Sequence, residues 1–209
     1  MNGREELQRR LGECPLVAII RGVTPGEVEA IGHAIYDAGI RIIEVPLNSP
    51  EPFDSIGKLA AALGDKALIG AGTVLDIENV RRVREVGGKL IVSPSTNSQV
   101  IEASVSAGLV SLPGFYTPSE AFQAVGAGAH GLKLFPAEAA SPSVVKAQRA
   151  VLPKDVPLLV VGGVRPDNMQ AYLEAGANGF GLGSGLYKPG QSPQQVAEQA
   201  RAYLAGLER

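Results

Sequence analysis

Two charged residues sit where charge is expensive to keep. Lys133 is enclosed in GLKLF (131–135) and Glu44 in IRIIEV (40–45), both short apolar runs of strand length. Successive side chains of a strand point to opposite faces. Leu132 and Leu134 then share one face and leave Lys133 on the other, while Ile43 and Val45 leave Glu44 opposite them with Ile42. If the large apolar pairs meet a layer of helices, the lysine and the glutamate both point away from it, near the C-terminal ends of their strands. A structural ion pair is the plain reading. Buried charges are costly, however, and are retained mainly where they do chemistry, which favours a functional reading. Desolvation raises the fraction of free, nucleophilic amine, whereas a neighbouring carboxylate favours the ammonium, and the sequence leaves that balance open. Such a pair suits imine chemistry: the amine attacks a ketone and the acid moves the protons.

Other residues are placed to complete a site around this pair. Thr73 ends LIGAGT and is assigned the inward phase of Ile69 and Ala71, where its hydroxyl could bond a carboxylate or a water; a purely structural role is the alternative. Pro94 and Phe135 are expected to shape the mouth without moving protons. Arg21 directly follows LVAII, either as a surface or capping arginine or as a bidentate clamp on a carboxylate. Gly162-Gly163 and Gly183-Ser184-Gly185 close two further runs, and glycine lets backbone N–H groups approach an anion closely. A short helix N-terminus is expected behind them, with Ser184 as the side-chain contributor. Val161 shares the inward phase of Leu159 just before the first glycine pair.

Elements that hold these residues recur with a regular beat. Apolar runs at 16–20, 40–45, 67–72, 90–93, 109–114, 131–135, 158–163 and 179–184 alternate with helical patterns such as GEVEAIGHAIYDAG and SQVIEASVSAG. Gly39, Gly87, Gly108, Gly128 and Gly176 stand where helix C-caps are wanted. Thr24-Pro25, Thr117-Pro118 and Arg165-Pro166-Asp167 mark helix starts. Eight alternating β and α units predict an α/β fold, a (β/α)8 TIM barrel, over an open doubly wound sheet. MNGREELQRR predicts an extra N-terminal helix at about residues 3–12, and the whole chain, 1–209, reads as one barrel domain. In such a barrel, active sites lie at the C-terminal ends of the strands, and the loops after strands seven and eight commonly hold phosphate.

Composition narrows the partners. Nineteen basic against twenty-one acidic residues give a net charge of −2, which leaves no electrostatic footprint for nucleic acid or an anionic membrane. Cys14 is the only cysteine, so no internal disulfide or cysteine metal cluster is expected, and His33 and His130 are too few for a histidine-rich metal site. The charged opening is no signal peptide and no apolar run reaches membrane-spanning length, so a soluble, cytoplasmic protein is expected. Lys58, Lys66, Lys89, Lys146 and Lys154 read as solvated surface charges.

Taken in order, IIRGVTP, IIEVPLNSP, LIGAGTVL, GLKLFPAE, VVGGVRPDN and GLGSGLYKPGQ resemble the family of 2-keto-3-deoxy-6-phosphogluconate and 2-keto-3-deoxy-6-phosphogalactonate aldolases over essentially the whole chain. The resemblance implies a trimeric barrel without metal or organic cofactor, a Schiff-base lysine at Lys133 and an acid/base glutamate at Glu44. It also implies Thr73 near the pyruvyl carboxylate and phosphate at Gly162, Gly163, Gly183 and Ser184. Gluconate-type members typically carry an arginine where this chain has Asn48, so the anion-binding role is expected to move to Arg21. Glu44-Val45-Pro46-Leu47-Asn48-Ser49 looks like the galactonate branch, and Val161 stands where gluconate-type members usually carry threonine. A phosphorylated keto acid is the expected partner, with both C4 epimers open. A phosphate-binding isomerase using Glu44 as base, and a sugar-phosphate sensor without turnover, are the competing readings.

Overall fold

A computed structural model of the chain describes residues 2–207. Nine strands form one parallel sheet in the order β5-β4-β3-β2-β1-β9-β8-β7-β6. They are β1 (Leu16–Ile19), β2 (Ile42–Pro46), β3 (Leu68–Gly72), β4 (Leu90–Val92), β5 (Val110–Leu112), β6 (Gly114–Phe115), β7 (Leu132–Leu134), β8 (Leu158–Val161) and β9 (Gly179–Leu182). The ninth strand comes from a break in the expected fifth run. Proline has no N–H for the ladder, and Pro113 divides that run into β5, paired with β4, and β6, paired with β7. The Pro113 carbonyl still accepts from Lys133 N–H at 2.9 Å, so the two halves act as one stave and close the barrel.

Strand alternation sorts the side chains into two layers. Val17, Ile42, Leu68, Leu90, Val92, Val110, Leu112 and Leu159 fill the barrel with Leu7 and Leu11 of the N-terminal helix α1 (Gly3–Glu13). That helix is held by a capping box between Asn2 and Glu5, and Leu7 is fully buried. Burying a leucine contributes about 1.5–3 kcal/mol, so α1 serves as a plug. The opposite faces of the strands, including Ile43, Val45, Leu132, Leu134, Leu158 and Val160, pack with the outer helices.

Outer helices alternate with the strands: α2 (Val28–Ala38), α3 (Pro52–Leu63), α4 (Ile77–Glu85), α5 (Ser98–Ser106), α6 (Pro118–Gly126), α7 (Pro142–Arg149), α8 (Met169–Glu174) and α9 (Pro193–Leu207). The five glycine stops all have positive φ, as a left-handed cap requires. Thr117-Pro118 opens α6 with a full capping box to Glu120. Thr24-Pro25 and Arg165-Pro166 do not open helices directly. Glu27 N–H bonds the Thr24 carbonyl and Asn168 N–H the Arg165 carbonyl, so each segment makes a tight turn before α2 and α8 begin. No helix among the described residues is long and apolar enough to cross a membrane.

Candidate active site

The alternation that orders the layers also delivers the two charges. Leu132 and Leu134 are locked in the outer layer and turn Lys133 inward; Ile43 and Val45 do the same for Glu44. Lys133 is 7% exposed and Glu44 1%. Glu44 Oε2 has no hydrogen-bond partner. Burial pushes the Glu44 carboxyl up to about 7, against the opposing charges of Lys133 and Arg21. Burial also holds the Lys133 ammonium below its ordinary value; Glu44 resists that shift and the positive charge of Arg21 adds to it. The balance left open by sequence therefore falls towards desolvation. An amine whose ammonium form is disfavoured by burial, coupled to a carboxyl that titrates at about 7, is a combination suited to nucleophilic attack with proton transfer.

Lys133 faces a cavity of about 580 Å³ at the C-terminal ends of the strands. Its Nζ lies 4.9 Å from the centre of the Phe135 ring, and Pro94 forms another part of the wall. Glu44 does not line the cavity. It is folded over Gly72, where an added Cβ would stand 1.8 Å from Oε2. Thr73 reaches the cavity, but not by the expected phase. Ile69 and Ala71 pack in the outer layer. Thr73 has φ 56, a left-handed conformation rare for a β-branched residue. That turn breaks the alternation and swings the side chain to the mouth.

Arg21 lines the cavity, and its guanidinium donates to Asn48 Oδ1 in the loop after β2. The next residue, Gly22, donates its N–H to Ser49 Oγ at 2.9 Å. The β1 and β2 loops are thus pinned at adjacent positions on both sides. Asn48 itself is outside the cavity wall.

Gly162, Gly163, Gly183, Ser184, Gly185 and Val161 also line the cavity. The glycines are not equivalent. Gly162 and Gly163 have positive φ, and a Cβ on Gly162 would meet the Glu138 carboxylate at 2.1 Å. A Cβ on Gly183 would meet nothing within 4 Å, so its openness is towards the cavity. The expected helix N-terminus is absent: Leu186 and Tyr187 N–H groups return to the Gly183 carbonyl in a single turn, and α9 begins only at Pro193. Any anion held there meets turn N–H groups rather than a helix end. Tyr203 of α9 underpins both glycine loops, its hydroxyl donating to the Val164 carbonyl at 2.9 Å while the same oxygen occupies the space a Cβ on Gly185 would need. Glu138, Arg165 and Lys188 also line the wall and were missed by sequence reasoning. Their one legible signal was proximity to the motifs: Glu138 ends GLKLFPAE and Arg165 follows the glycine pair by two residues.

Geometry of this kind, a parallel barrel with a buried amine and carboxyl below an anion-ready mouth, defines a class of barrel lyases. Residues 7–198 match the family described as "Aldolase: KDPG and KHG aldolase", and the chain belongs to that family of carbon–carbon lyases. It is 48% identical over 192 residues to the 2-dehydro-3-deoxy-6-phosphogalactonate aldolase of Escherichia coli (strain K12), covering 92% of this chain and 94% of that one. The solved "Native KDPGal structure" superposes with a TM-score of 0.92 at 47% identity, over 94% of this chain and 95% of that one. A second structure, of a "cube-shaped, highly porous protein cage designed by fusing symmetric oligomeric domains", matches with a TM-score of 0.91 at 47% identity, over 93% of this chain and 72% of that one.

Proposed function

We propose that the chain cleaves 2-dehydro-3-deoxy-6-phosphogalactonate to pyruvate and D-glyceraldehyde 3-phosphate through a Schiff base on Lys133. The observation that carries this reading is Lys133, the one buried lysine among the described residues, at the mouth, its ammonium form disfavoured by burial, with the buried Glu44 carboxyl close enough to act on its charge. The similarity to the galactonate aldolase and the apolar Val161 in the wall favour the galactonate epimer.

In this mechanism the Lys133 amine adds to C2 of the keto acid. Loss of water leaves a protonated imine, which is the electron sink for the next step. Removal of the C4 hydroxyl proton lets the C3–C4 bond break, and its electrons flow into the imine to give an enamine and release the aldehyde. Protonation at C3 and hydrolysis then free pyruvate and restore the amine. Glu44 supplies and receives these protons through a water between it and the substrate. Arg21 and Thr73 hold the carboxylate of C1, Pro94 and Phe135 confine the pyruvyl unit, and Gly162, Gly163, Gly183 and Ser184 receive the phosphate. The imine performs the electron-withdrawing task, so the step needs no metal or organic cofactor.

Measuring cleavage of both C4 epimers tests the reading. Efficient turnover of the galactonate epimer supports it, and turnover of neither overturns it. We further assign the enzyme to the cytoplasm and to a homotrimer, the latter on its similarity to a domain used in a symmetric assembly and on the exposed Leu75, Ile77 and Phe122. Light scattering at three times the chain mass is the expected result.

A further inference from the structure

Arg21 presents an unusual arrangement for a guanidinium at an anion site. Its side-chain partner is the neutral amide oxygen of Asn48, and among the described residues no carboxylate lies within ion-pair distance of it. A carboxylate at position 48 would hold the guanidinium more strongly, as charge-assisted bidentate pairs do. It would also cancel the charge that an incoming anion needs. A neutral acceptor orients the fork and leaves the charge whole. Asn48 does not itself line the cavity and meets it through Arg21. The second tie, from Gly22 N–H to the buried Ser49 hydroxyl, fixes the backbone on which the arginine is mounted.

We propose that Asn48 is a positioning residue, which aims Arg21 at the carboxylate of the keto acid while leaving the guanidinium without a paired carboxylate. The inference rests on the proposed assignment of Arg21 to the substrate carboxylate. It goes further in making the neutrality of residue 48, and not only its hydrogen bond, the functional property. Because Arg21 is one of the charges that lower Lys133, residue 48 also acts indirectly on the amine.

Pyruvate is the probe, with borohydride trapping read by mass spectrometry on the wild type, Asn48→Ala, Asn48→Asp and Arg21→Ala proteins. Asn48→Ala frees the arginine and is expected to raise the pyruvate concentration for half-maximal trapping by about tenfold, the scale of losing one bond to a charged group. Asn48→Asp keeps the shape and strengthens the tether, yet is expected to weaken pyruvate by at least as much. It should also move the pH dependence of trapping to the alkaline side, since the field of Arg21 that lowers Lys133 is then offset while that of Glu44, which raises it, remains. A purely structural tether predicts the opposite ranking, with Asn48→Asp like the wild type. That result overturns the proposal, as does Asn48→Ala within twofold of wild type while Arg21→Ala is impaired. Wild-type protein trapped on another lysine would instead count against the aldolase site itself, and the proposal falls with it.

Discussion

Glu44 folds over Gly72 so closely that a Cβ on that residue would lie 1.8 Å from Oε2 and 2.4 Å from Cδ. The carboxyl keeps its place because position 72, on the neighbouring strand, has no side chain. Gly72→Ala should therefore displace Glu44 without adding bulk to the cavity. We expect kcat to fall by roughly the 10²-fold typical of losing a general acid/base, close to the effect of Glu44→Gln. The double variant should be little worse than either single one, since both remove the same group. Additive losses in steady-state kinetics would show that Gly72 acts apart from Glu44.

Burial of Glu44 also makes a stability prediction. Its folded pKa of about 7 lies above its ordinary value, so the folded state prefers the protonated form. At acid pH the carboxyl is protonated in both states and costs nothing extra. As pH rises towards 7 the unfolded chain ionises first, and stability is lost at about 1.4 kcal/mol per unit of displacement. Above 7 the loss is constant. Glu44→Gln should thus gain stability relative to wild type between pH 4 and pH 8, at roughly 2–4 °C in Tm per kcal/mol for a chain of this size. Melting curves that differ by the same amount at both pH values would contradict the buried carboxyl as its cause.

Glycines at the mouth separate conformational need from close approach. Gly183→Ala enters open space without a left-handed φ, so the fold should be unaffected. We expect its KM for the phosphorylated substrate to rise about tenfold, as for one lost N–H contact to an anion, with little change on an unphosphorylated analogue. Gly162→Ala must also displace Glu138 and strain the turn, so its Tm should fall. Equal kinetic losses of Gly183→Ala on both substrates would remove phosphate from that loop.

Much of this site was legible because strand alternation is strict. The flanking leucines and aliphatics of Lys133 and Glu44 specify both directions without further information. Alternation failed at Thr73, where a left-handed residue swings the side chain to the mouth from a strand whose Ile69 and Ala71 face the other way. It also could not foresee Pro113 splitting the fifth stave, or the turn that replaces a helix after Gly183. Glu138, Arg165, Lys188 and Tyr203 join the site through loops or from a distant helix. Their positions are set by tertiary contacts that no local period encodes.

Val161 is buried in the wall beside the glycine pair and offers no hydrogen bond. Val161→Thr introduces a hydroxyl of nearly the same shape. One hydrogen bond to a neutral group is worth about 0.5–1.5 kcal/mol, or roughly two- to tenfold. We expect the kcat/KM ratio to move towards the gluconate epimer by that factor. A ratio unmoved by the substitution would place the reading of C4 elsewhere.

The central claim is covalent, and borohydride reduction in the presence of pyruvate tests it most directly. Reduction of the imine should inactivate the enzyme and add one reduced pyruvyl group per chain, located at Lys133 by peptide mass spectrometry. Lys133→Ala should take up none. Label on a surface lysine, or unlabelled protein that retains activity, would contradict a Schiff base at Lys133.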